Sequence, residues 1–175
     1  KKATSRGVDD PVTVNLFLAQ ALLLQKSPAP KDAERAAEQS LKALGFSWNG
    51  AWWWKSWKLE NVDKWLRENE QDKAKKNLAA EVFGTLLDVS FALKQWVSLK
   101  DQVKAFEKLI EGTPQEQKVW YLEGIAYEEI GIEDEKKNNF EKAKTSFYKA
   151  VVSYRKAIYE EDKEDKKVLR DGALT

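Results

Sequence analysis

The sequence predicts an all-α protein, and three observations predict it: glycine and proline are scarce, helix start and stop signals recur at helix-length intervals, and the C-terminal half repeats itself. Eight glycines and four prolines serve 175 residues. That is too few for the turns of a sandwich of short strands and enough for long helices joined by short loops. One domain of this length buries roughly 70% of its unfolded surface, so it folds without a disulfide or a metal. With 42% hydrophobic and 34% charged residues, the composition is globular rather than disordered.

The elements follow in order. Asp10 is placed to cap a first helix, and Pro11 suits its first position, where a missing N–H costs nothing. Leu16, Phe17, Ala19, Leu22, Leu23 and Leu24 follow, and Ser27-Pro28-Ala29-Pro30 stops the helix. A second helix is predicted from about Asp32 to Leu44, with Ala33, Ala36, Ala37, Leu41 and Leu44 on one face and Gly45 closing it. Residues 12–47 thus form an antiparallel hairpin. Residues 48–77 form a connecting segment that holds six of the eight tryptophans: Trp48, Trp52, Trp53, Trp54, Trp57 and Trp65. An apolar helix is expected from about Leu78 to Trp96.

Residues 78–114 and 115–167 are two units of one pattern. Thr113-Pro114-Gln115-Glu116 reads as a capping box with proline at the first helical position. The helix it opens places Trp120, Gly124 and Tyr127 on one face. Thirty-four residues earlier stand Leu86, Ser90 and Leu93, again large, small, large. In the following helices Leu99, Gln102, Phe106 and Leu109 correspond to Phe140, Ala143, Phe147 and Ala150. The correspondence requires a polar insertion between Glu133 and Asn139, expected to lie at the turn, where it is thermodynamically cheap.

A 34-residue period of paired helices resembles the tetratricopeptide repeat (TPR) family. The family's large, small and aromatic positions are matched here by Trp120, Gly124 and Tyr127, and its second-helix positions by Ala143, Phe147 and Ala150. Pro114 stands where the family's repeat ends. Glu123 and Gln102 depart from it, where Leu and Ala are usual. The resemblance covers residues 83–155 and extends loosely to 12–47. It implies hairpins stacked as a right-handed superhelix, with the long last helix capping the open end. It also implies partner binding along the first helices of successive pairs, at Leu87, Phe91, Lys94, Gln95, Tyr121, Ile125 and Glu128. The alternative is that the chain's own helices cover these residues.

The residue types present narrow the chemistry. Cysteine, histidine and methionine are absent, which removes the commonest general base, the thiol nucleophile and the soft metal ligands. There is no phosphate loop and no nucleophile elbow. The acidic pairs Glu128-Glu129 and Glu160-Glu161 point in diverging directions on a helix, and the mixed run from Glu160 to Lys167 reads as a solvated helix end. The chain is therefore expected to be no enzyme and to hold no cofactor or metal. Thirty basic and 29 acidic residues, a net charge of +1, give no concentrated positive face for nucleic acid. No apolar run reaches the roughly 18 residues of a membrane span.

A non-catalytic scaffold that binds a protein or peptide through a helical groove is the expected function, with self-association as a third reading. The alternative is a cell-envelope module that stacks a small ligand or glycan on a candidate aromatic platform of Trp52, Trp53, Trp54 and Trp57. Lys55 and Lys58 beside them would also suit a membrane interface. A start at Lys1 rather than Met is read as the mark of a processed or trimmed form, and with the absence of cysteine it tilts the expected location weakly to the cell envelope.

Overall fold

A computed structural model describes residues 10–46 and 62–159. Among them the chain forms seven helices and no strand: α1 (Pro11–Leu24), α2 (Pro30–Ala43), α3 (Val62–Glu68), α4 (Lys73–Ala92), α5 (Trp96–Ile110), α6 (Glu116–Lys136) and α7 (Phe140–Tyr159). The all-α expectation holds.

Local chemistry sets most of the boundaries. The Asp10 carboxylate accepts hydrogen bonds from the N–H groups of Val12 (3.2 Å) and Thr13 (3.3 Å) and from the Thr13 hydroxyl (2.7 Å). The hydroxyl bond leads in holding its pKa below the ordinary value. At the far end of α2, Gly45 has φ +94°. Its N–H reaches the Lys42 carbonyl (2.9 Å), and the Phe46 N–H reaches the Leu41 carbonyl (3.0 Å). This paired left-handed lock satisfies two carbonyls that the helix leaves open. The same lock closes α4 with Lys94 (φ +54°) and α6 with Asn138 (φ +59°) in the glycine position.

Three boundaries differ from the sequence expectation. α4 begins at Lys73, a full turn before Leu78, because the Asp72 carboxylate caps the Lys75 N–H at 2.9 Å. It also stops at Ala92, and Trp96 instead opens α5. The box at Thr113 is rearranged. The Thr113 hydroxyl donates to the Ile110 carbonyl (2.6 Å), and Glu116 accepts from the Gly112 N–H (2.7 Å) rather than from that of Thr113. The helix therefore starts at Glu116. The inserted residues near Glu133 lengthen the helix rather than the turn. Ala126 corresponds to Ala92, where α4 ends, yet α6 runs on to Lys136.

Apart from α3, which touches α5, each helix packs on the next. α1 lies on α2, α2 on α4, α4 on α5, α5 on α6 and α6 on α7, while α1, α4 and α6, the first helices of the three hairpins, also touch in series. The core follows this order. Leu16, Leu41, Phe83, Leu86, Leu99, Phe106 and Leu109 are fully buried, and the rings of Phe83 and Phe106 stack at 3.8 Å. Trp65 of α3 joins this core. It is 3% exposed, stacks on Phe46 at 4.7 Å and donates its indole N–H to the Leu44 carbonyl at 2.7 Å. The ring thereby seals the end of the first hairpin against the helices that follow.

The α6–α7 seam is the most extensive contact. Two notches place it. A Cβ on Gly124 would fall inside van der Waals contact with the Tyr154 ring, and one on Gly131 would lie 2.7 Å from the Phe147 ring. The notches are a heptad apart on both helices, so the axes approach in one register. Ala143 and Ala150, each 3% exposed, line the same seam, whereas Phe140 is 62% exposed and does not reproduce the burial of Leu99. Among the described residues no helix follows α7 to cover that side. Gln102, where a small residue was expected, is buried because Ser90 donates to its Oε1 (3.0 Å) while its Nε2 donates to Ser98 (3.3 Å).

Candidate functional site

The residues expected to form one groove do not converge on one surface. Leu87 is 0% exposed. It belongs to the core, because the face of α4 that carries it is packed by neighbouring helices, and so it is unavailable to a partner. Ile125 is half-buried against the same core. Tyr121 is exposed and tilts against Tyr154 at 5.7 Å, and Glu128 accepts the Tyr154 hydroxyl at 2.6 Å. These two therefore cluster with α7. Phe91 is exposed and meets the Trp96 ring edge-on at 5.6 Å. Lys94 and Gln95 occupy the α4–α5 turn and line a separate cavity. The platform tryptophans Trp52, Trp53, Trp54 and Trp57 lie outside the described residues, as do Lys55, Lys58 and the run from Glu160 to Lys167.

The cavity at Lys94 and Gln95 is about 1080 Å³, just above the usual size range of ligand sites, roughly 300–1,000 Å³. Four groups of residues bound it. Lys31, Glu34, Arg35 and Glu38 come from α2, and residues 93–98 from the α4–α5 turn and the start of α5. Asp101 and Gln102 of α5 and Ile130 and Glu133 of α6 complete it. The chain builds it from ordinary helix rules. The alanine stripe of α2, Ala33, Ala36 and Ala37, packs so closely that the adjacent glutamates are drawn in with it. The left-handed lock at Lys94 then turns the chain sharply, setting Leu93, Trp96 and Val97 as an apolar wall opposite.

Charge is sorted by depth. Glu34 is 6% and Glu38 9% exposed. Glu38 Oε1 has no hydrogen-bond partner, and neither carboxylate forms an ion pair among the described residues. Burial pushes the pKa of both up to about 7, with the neighbouring Glu38 charge adding to the effect at Glu34. The cations sit at the rim. Arg35 is exposed and 3.6 Å from Asp32, while Lys31 and Lys94 are exposed. Glu133 faces Lys137 at 3.9 Å, and Asp101 is bound by Lys100 at 2.6 Å. The cavity therefore presents an apolar wall, a polar floor at Gln102 and Ser98, and two buried acids that form no close ion pair among the described residues, with Lys31, Arg35 and Lys42 acting on them only in part.

Sequence reasoning singled out Lys94 and Gln95 as part of a different groove, and it did not single out Glu34, Glu38 or Trp96. A glutamate pair four residues apart reads as a solvated face. The signal that it is not is the run of alanines woven through it. Among the described residues no group of three acidic side chains is arranged to hold a metal ion, and no helix is long and apolar enough to cross a membrane. Comparison with protein-family models, curated proteins and solved structures finds no match to this chain.

Proposed function

We propose that the protein is a non-catalytic interaction scaffold, a TPR-like array of hairpins that holds a peptide segment of a partner. The observation that carries this reading is the cavity at the α4–α5 turn. It has the volume for several residues, an apolar wall at Leu93, Trp96 and Val97, and polar groups spaced around it. The serial packing of α1, α4 and α6, with a second helix behind each, supports the array. Binding by such an array is an inference from form, and the cavity supplies its chemical content.

Selection of a displayed random peptide library on the whole chain tests it. Enrichment of a consensus motif is expected, with binding lost in Val97→Asp, which puts a charge on the apolar wall, and kept in Tyr121→Ala, which is remote from it. Failure of any motif to enrich, or equal binding to Val97→Asp, overturns the assignment.

A further inference from the structure

The buried end of the cavity has a chemistry of its own. Glu38 is about nine-tenths buried, lines the cavity and has an oxygen without a donor. Glu34 lies one turn before it on the same face of α2. A buried acceptor without a donor costs free energy that a bound donor returns. Of the cations around the cavity, Arg35 turns to Asp32 while Lys31 and Lys94 stay at the rim, and no ion pair to Glu34 or Glu38 forms among the described residues. Trp96 on the opposite wall offers an aromatic ring, the surface on which a planar cation stacks best.

We propose that this cavity seats a cationic side chain of the bound peptide, an arginine above all, with Glu34 and Glu38 as its counter-charges and Trp96 as its stacking wall. The assignment rests on the peptide-scaffold reading. It adds the class of residue the partner must present. A guanidinium supplies paired N–H donors to carboxylates, and burial makes such a pair stronger than it would be in water. Its binding depends on pH. Both acids ionise as pH rises through about 7, so the cation is held above that pH and released below it. The other charged groups around the acids are Lys31, Arg35 and Lys42 on α2, Lys94 at the turn, Asp101 on α5 and Glu133 on α6. Three of these four cations lie on α2 and move with the acids.

The test is a titration of the whole chain with acetyl-arginine-N-methylamide, using the citrulline analogue as the neutral isostere. Nuclear magnetic resonance follows the Glu34 and Glu38 carboxyl carbons and the amides of 94–98. Saturable shifts are expected from the arginine compound at pH 8 and none from the citrulline compound. Affinity should fall about tenfold per engaged carboxylate between pH 8 and pH 6, following the ionised fraction of a group that titrates near 7. The doubly substituted Glu34→Gln, Glu38→Gln chain, checked for unchanged helix content, should lose at least tenfold in affinity. Equal shifts from citrulline, pH-independent binding or undiminished affinity in the glutamine variant each overturn the proposal. Displayed peptides that fill the cavity without enriching Arg or Lys would overturn the cation site and leave the scaffold standing. Arginine binding with no peptide selected would do the reverse.

Discussion

At Glu34 and Glu38 burial and charge pull against each other, and the result is readable in stability. An exposed glutamate titrates at its ordinary value of 4.5, whereas these titrate near 7 in the folded chain. Between those values the folded state holds protons that the unfolded state has lost, so stability falls as pH rises through the window. Replacing either residue by Gln removes that penalty. Urea unfolding should show a gain of roughly 1–3 kcal/mol at pH 8 and almost none near pH 4.5. Lys94 offers a second single-residue test. It holds a left-handed backbone that glycine adopts without cost. Lys94→Gly should therefore raise the unfolding free energy by about 0.5–1 kcal/mol, after the greater freedom of glycine in the unfolded chain is set against it. Asn138, already tolerant of that conformation, should gain less from the same change.

Helix by helix, the three helical glycines separate by what lies opposite each. At Gly84 an added methyl meets the far end of the Gln115 side chain at 2.7 Å, and at Gly124 it meets the Tyr154 ring. A flexible amide swings away and a ring wedged in a seam does not. Gly84→Ala should be neutral or stabilising by up to about 1 kcal/mol, in line with helix propensity. Gly124→Ala should destabilise by roughly 1–2 kcal/mol, since overpacking outweighs propensity; thermal melts of the two variants check the contrast. Elements with local signals were legible in the sequence. Asp10 with Pro11 set the start of α1, and Gly45 set the end of α2. The start of α4 was missed because Asp72 sits among lysines that break the apolar period. The cavity was not legible; Lys94 and Gln95, which line it, were singled out for a different groove. Glu34 is buried only once α2 is packed among the other helices, α1 and α4 foremost, and no local pattern reports it. Gly124 was read as the small position on its helix face, and the structure sets the Tyr154 ring against it.

Across the whole molecule, burial is deepest in the middle. Phe83, Leu86, Leu87, Leu99, Phe106 and Leu109 of α4 and α5 are all 0% exposed. The end helices leave apolar side chains outside, Val14, Phe17 and Leu18 on α1 and Tyr148, Val151 and Val152 on α7. Native-state hydrogen exchange should accordingly be slowest in α4 and α5 and faster in α1 and α7. Uniform protection along the chain would contradict this. Among the described residues α1 and α7 share no extensive contact, and every large interface joins helices that are near neighbours in sequence. That order has a mechanical consequence. Pulled apart end from end, the described helices offer no clamp in which distant segments bear the load together. Each hairpin peels from the stack in turn, so the force trace should be a series of low steps rather than one tall rupture peak.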